Sequence, residues 1–176
     1  MNFGNVLFNP NGRIGSRSFL RGVIILVAIM IVIYVAQVYL GPAGAVIGLL
    51  SLGAPYLYLC VYGKRLHDSG KSAWWFLLLF VIYIIGNTIL QLVLTPILAP
   101  GAAELQSEME LLMEQGQFLE AMSEYGPAIA RESLFANLVV LLVVNLVIAL
   151  PVSRLSSDPG PNKFGPPEGQ TLNDTF

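Results

Sequence analysis

The feature that most constrains this chain is a set of four long apolar runs, residues 22–40, 43–62, 74–98 and 134–152, none of which contains Asp, Glu, Lys or Arg. The shortest hold 19 residues, which as α-helix cover about 28 Å, close to the thickness of a bilayer's hydrocarbon core. Each therefore reads as a membrane-spanning helix. Composition agrees: of the 176 residues 55% are hydrophobic and 11% charged, with mean hydropathy +0.70, whereas soluble domains carry roughly a quarter charged residues. The predicted class is an all-α, polytopic membrane protein with four transmembrane helices. It divides into a basic N-terminal segment 1–21, a membrane domain 22–152 and a Pro/Gly-rich tail 153–176 that cannot pack a core of its own.

A cleaved signal peptide is the alternative reading of the first run, since Arg13, Arg17 and Arg21 precede it and Ala43, Gly44 and Ala45 follow. Its length, and the second run directly behind it, favour a span. In the second run Gly44 and Gly48 leave one helix face without bulk, and Gly53 and Pro55 follow, so close helix contact and then a kink are expected. That contact is either internal to the chain or the face of a homo-oligomer. Residues 63–72 hold Lys64, Arg65, Asp68 and Lys71. Burying four charges in hydrocarbon costs about 10 kcal/mol or more, so this stretch is expected to be a loop at the water interface. Trp74 and Trp75 open the third run, where indoles favour the headgroup level, and Pro96 is expected to end its helix early.

Residues 102–132 break the pattern. Glu104, Glu108, Glu110, Glu114, Glu120, Glu124 and Glu132 face Arg131 alone, while Leu105, Met109, Leu112, Leu119 and Met122 recur at helical spacing. One acidic amphipathic helix outside the hydrocarbon is predicted, broken at Gly126 and Pro127. Placing the N-terminus in the cytoplasm puts Arg13, Arg17, Arg21, Lys64, Arg65, Lys71, Arg154 and Lys163 inside and Arg131 alone outside. Both termini are then cytoplasmic and the acidic helix lies on the outer side. The inner segments carry eight basic and four acidic residues (Asp68, Asp158, Glu168, Asp174), +4, and the outer segment one basic and seven acidic, −6, summing to the net −2.

Cys60 and His67 are the only residues of their types, which removes an intrachain disulfide and a Cys/His zinc site. No metal, cofactor or nucleic-acid partner is expected. No repeat relates the two halves, so an inverted-repeat transporter gains no support.

Three polar stretches carry a family likeness: GRIGSRSF at 12–19, KRLHDSGKSAWW at 64–75 and DPGPNKFGP at 158–166. In order and spacing they resemble the bacterial inner-membrane family called domain of unknown function 805, or YhaH-like. The resemblance implies an inner-membrane address and a helical membrane fold, with no established activity to carry over. The chain departs from the family's pattern at Ser16 and Leu20, and by the Glu-rich segment between its last two spans, which members join by a short turn.

Gly70-Lys71-Ser72 lacks the earlier glycine of a phosphate loop, Arg65 standing in that place, and no strand precedes it. Ser72 is expected to cap the third helix, whose free N–H groups beside Lys71 and Arg65 suit an anionic oxygen such as a lipid headgroup phosphate. His67-Asp68 lacks the further histidines and carboxylates of a metal phosphohydrolase, and Asp68 is expected to accept hydrogen bonds from Arg65, Arg13 or a helix N-terminus. Arg13, Arg17 and Arg21 stand at i, i+4 and i+8, one face if the stretch is helical. They read either as topology anchors alone or, with Lys64, Arg65, Lys71 and Lys163, as one candidate basic pocket partly neutralised by Asp68 and Asp158.

The expected anion, lipid-headgroup or partner site is therefore Arg13, Arg17, Lys64, Arg65, His67, Asp68, Lys71, Ser72, Asn162 and Lys163. Within the spans, Gln37, Asn87, Gln91 and Asn137 form a polar tier that reads as interhelical glue, and Cys60 reads as a small apolar filler. The leading expectation is a non-enzymatic membrane protein whose cytoplasmic basic face binds anionic lipid or a partner protein. The alternatives are a small transporter or channel subunit using the polar tier, and an enzyme acting on a lipid phosphate through His67 and Asp68.

Overall fold

The computed structural model describes residues 3–170. Residues 1–2 of the expected N-terminal segment, and 171–176 of the expected tail with Asp174, lie outside the described residues. Among the described residues the chain is helix and turn without a named strand. The helices are α1 (Phe3–Phe8), α2 (Ser16–Tyr39), α3 (Gly41–Gly48), α4 (Ala54–Asp68), α5 (Trp75–Leu98), α6 (Gly101–Glu114), α7 (Phe118–Glu132) and α8 (Leu134–Ser153), with a 3-10 turn at Leu49–Gly53.

Four helical stretches are long and apolar enough to cross a membrane: Ser16–Tyr39, Val46–Asp68, Trp75–Leu98 and Leu134–Ser153. None of the most apolar stretch of α5 is buried, and Ile82, Ile85, Ile89 and Leu92 stand exposed along it. A patch of that size facing water would drive association, whereas facing hydrocarbon it is an ordinary lipid-contacting surface.

The chain divides into two compact units, the first holding, of the described residues, 3–29, 52–84 and 145–170. Its core joins Phe19, Val23 and Leu26 of α2, Val61, Tyr62 and Leu66 of α4, Phe76 of α5 and Ile148 and Val152 of α8, with Val6 and Leu7 of α1. Phe19 meets Tyr62 edge-on, ring centres 4.9 Å apart at 88°. Such a pair contributes about 0.5–1.5 kcal/mol beyond its area. Close packing of this kind holds helices together in lipid, where hydrophobic expulsion between spans is lost.

The second unit holds residues 30–51 and 85–144. Gly41, at φ +54°, turns the chain between α2 and α3. A Cβ on Gly44 would strike the Ala36 carbonyl oxygen, and one on Gly48 the Gln37 side-chain amide. The small-residue face of α3 is thus covered by α2 of the same chain. Gln91 Nε2 donates to Asn137 Oδ1 at 2.9 Å, and Thr95 Oγ1 donates to Gln91 Oε1 at 2.8 Å, linking α5 to α8. The polar tier therefore splits, Gln37 lying over Gly48 and Gln91 pairing with Asn137. The expected kink after Gly48 is the 3-10 turn, and Pro55 sits in the first turn of α4, where its missing N–H costs no helical bond.

Several expectations are corrected. Residues 63–72 are not loop throughout: α4 runs to Asp68 and buries Lys64 and Arg65, each 1% exposed, because their charges find partners within the chain. α2 begins at Ser16, so Arg17 and Arg21 are helical while Arg13 precedes the helix, and the three do not form one stripe. The Glu-rich segment is two helices, α6 and α7, packed on each other. The break falls at Gly116 (φ +79°), where the Gly116 N–H bonds the Met113 oxygen and the Gln117 N–H the Leu112 oxygen, both at 3.0 Å, a Schellman stop. Pro127 lies inside α7, admitted because Gly126 has no Cβ to meet the proline ring. Pro96 likewise lies inside α5, which continues to Leu98. All seven glutamates are exposed, but so are Leu119 and Met122, which therefore do not form a packed apolar face.

Candidate functional site

Three stretches distant in sequence meet within the first unit at the end of α4. Gly70, at φ +73°, closes that helix: its N–H bonds the His67 oxygen at 3.0 Å and the Lys71 N–H bonds the Leu66 oxygen at 2.9 Å, a second Schellman stop. A Cβ on Gly70 would lie 2.8 Å from Asp158 Oδ2. Glycine is thus required both by the backbone and by the approach of the tail. The Gly70-Lys71-Ser72 triplet is a helix stop, after which Ser72 Oγ accepts a long 3.4 Å bond from the Trp74 N–H ahead of α5.

Asp68 is the centre, 2% exposed. Its Oδ1 accepts from Arg13 Nε at 3.2 Å and Nη2 at 3.1 Å, and its Oδ2 accepts from Arg65 Nη1 and, at 2.5 Å, from Ser157 Oγ. Its backbone oxygen accepts from the Asp158 N–H at 2.8 Å. Arg13 reaches on to the carbonyls of Asp158 at 2.6 Å and Gly160 at 2.7 Å. Arg65 donates to the carbonyls of Val152 at 3.3 Å, Ser153 at 3.0 Å and Leu155, and to Ser157 Oγ at 3.0 Å. Every nitrogen of both guanidiniums is engaged. A guanidinium offers five N–H donors in a planar fork, and one carboxylate plus a ring of carbonyls can satisfy two of them together, which is what permits these charges to be buried.

The tail is fastened at further points. His67 Nδ1 lies 3.1 Å from the Gly12 oxygen, and since a carbonyl only accepts, that nitrogen carries the proton. The imidazole stacks on Phe164, 3.8 Å between centres at 9°, and Lys163 Nζ stands 5.0 Å from the centre of the Phe164 ring. Asn162 Nδ2 donates to the His67 oxygen at 3.0 Å and to Asp158 Oδ2 at 2.7 Å. Glu168 accepts from the Gly15 N–H at 2.8 Å and from Ser18 Oγ at 2.5 Å, so a tail carboxylate caps the start of α2, where the helix dipole favours negative charge.

Of the predicted site residues, Arg13, Arg65, His67, Asp68 and Asn162 interlock in one network. Lys64 donates through Nζ to the Asn5 oxygen of α1 instead, Lys163 lies against Phe164, and Ser72 precedes α5. Arg17 and Lys71 are exposed and form no ion pair among the described residues. Sequence reasoning missed Ser157, Phe164, Glu168 and the tail carbonyls. Glu168 stands in a polar tail outside the three motif stretches, and a carbonyl acceptor leaves no mark in residue type. Among the described residues no group of three or more His, Cys, Asp or Glu is placed to hold a metal.

Fold and network together define a multi-pass helical membrane protein in which the N-terminal segment, the end of α4 and the tail are locked around a buried Arg–Asp–Arg centre. Residues 7–166 match the family model described as "Protein of unknown function (DUF805)", and the chain belongs to that family. The matched region holds Arg13, Arg65, Asp68 and Asn162 and stops short of Glu168. Comparison with curated proteins and with solved structures gave no match.

Proposed function

We propose that this chain is a non-enzymatic protein of the bacterial inner membrane whose cytoplasmic basic face binds anionic phospholipid headgroups. The division of labour among the cations of the first unit carries this reading. Arg13, Lys64 and Arg65 are spent on internal hydrogen bonds, whereas Arg17, Arg21, Lys71, Arg154 and Lys163 are exposed and without an ion pair among the described residues. The acids of that unit are committed internally, Asp68 to the arginines, Asp158 to Asn162 and Glu168 to Gly15 and Ser18. Among the described residues, eight basic residues there oppose those three acids, while in the second unit seven glutamates oppose Arg131. The positive-inside rule assigns the charged segments of the first unit to the cytoplasmic surface, where an anionic leaflet attracts each exposed cation by about 1 kcal/mol. The engagement of His67 and Asp68 by the scaffold supports a structural role for that pair over catalysis.

Native mass spectrometry of the full chain equilibrated with equal phosphatidylglycerol and phosphatidylcholine tests this. The wild type should retain phosphatidylglycerol preferentially, and the combined Arg17→Gln, Arg21→Gln and Arg154→Gln variant should reduce that preference about tenfold or more without changing the unfolding temperature. Equal retention of the two lipids by the wild type would reject the reading.

A further inference from the structure

A groove of about 220 Å³ lies in the first unit, lined by residues from the start of α5 and the end of α8. Its lining includes the buried Leu66 and Val152, with Trp75, Leu79, Leu155 and the exposed Lys71. The geometry points to a seat for one anionic phospholipid, with part of an acyl chain in the groove and the phosphate on the Lys71 ammonium. This rests on the headgroup-binding reading above and assigns it a particular place.

Four observations carry the assignment. The lining is almost wholly apolar, so the buried part of any occupant is hydrocarbon. The volume falls below the roughly 300–1,000 Å³ of pockets that enclose whole small molecules, and suits a length of chain instead. Lys71 makes no side-chain hydrogen bond or ion pair among the described residues, while every nitrogen of Arg65 is occupied, which leaves Lys71 to meet a phosphate. Finally, Trp74 and Trp75 are 77% and 53% exposed at the start of a spanning helix, the position that indoles take at the headgroup level. Lys71 then stands on the polar side of that level and Leu79, a turn further along α5, on the hydrocarbon side.

The experiment uses the full chain in nanodiscs doped with phosphatidylglycerol, or phosphatidylcholine, bearing a photoactivatable group on its acyl chain. The cross-linked peptides are then mapped. Labelling by phosphatidylglycerol should concentrate on the segments containing Trp75, Leu79 and Leu155, exceed that by phosphatidylcholine, and fall about fivefold in Lys71→Gln, while Arg131→Gln, exposed in the second unit, leaves it unchanged. Labelling spread evenly along the lipid-facing helices would overturn the assignment, as would groove labelling equal for the two lipids and indifferent to Lys71. Protection of these segments in native membranes but not after purification would place a protein there and equally overturn it. A preference for phosphatidylglycerol in the mass spectra without enrichment at the groove would discard this seat alone, whereas loss of the preference altogether would discard the broader reading.

Discussion

Asp68 accepts from Arg13 and Arg65 at once, and both arginines continue to carbonyls of the chain's last described segment. Removing the charge while keeping the shape, Asp68→Asn, leaves two buried guanidiniums facing a neutral amide. Breaking a buried pair typically costs about 3–5 kcal/mol, so thermal unfolding in detergent should show a large fall in midpoint. Arg65→Lys should fail to rescue, because an ammonium cannot reproduce the planar fork that serves Asp68, Ser157 and three carbonyls. Gly70→Ala should destabilise by about 1 kcal/mol or more through its positive φ and the nearby Asp158 carboxylate, while Gly160→Ala, with nothing within 4 Å of its Cβ, should have little effect by the same assay. The pairing of Asp68 with Arg65 or Arg13 was legible from charge alone. The stacking of His67 on Phe164 and the carbonyl acceptors were not, since nothing in the residue types marks which distant backbone will arrive.

At the scale of elements, the four spans are legible because hydrocarbon thickness and side-chain transfer costs act on local sequence. Their ends are not. α4 runs past its apolar portion because Lys64 finds α1 and Arg65 finds Asp68 and the residues after α8, and these tertiary partners offset the cost that a local reading assigns to a loop. In the acidic segment the Gly126-Pro127 pair signals a break, but the left-handed backbone is taken at Gly116 instead. The residues after α8 turn on local hydrogen bonds but are fixed to the rest of the unit by such distant contacts. A chain ending at Ser156 loses the acceptors at Asp158 and Gly160 and the Glu168 cap. Amide hydrogen exchange should then quicken about tenfold or more at residues 14–19 and 66–71 and stay unchanged along the middle of α5.

Among the described residues, charge is segregated between the two units, eight basic residues with Asp68, Asp158 and Glu168 in one and seven glutamates with Arg131 in the other. That segregation was visible in the sequence, because the positive-inside rule depends on residue counts rather than on packing. In a Cys60→Ala background, single cysteines replacing Ser72 and Ser123 should react with an impermeant maleimide from opposite sides of the membrane; labelling from one side would refute the topology. The account turns on the locking of the N-terminal segment to the tail at the end of α4, where Glu168 meets Gly15 across 153 positions of sequence. The most direct measurement is cross-linking, in isolated membranes, of a Gly15→Cys, Glu168→Cys pair in the cysteine-free background by a short, cleavable thiol-reactive linker that spans the length of the lost glutamate side chain. A rapid link within one chain, seen as a gel mobility shift reversed on cleaving the linker, is the predicted result, and a chain that stays unlinked, or that links only to a second copy, would contradict it.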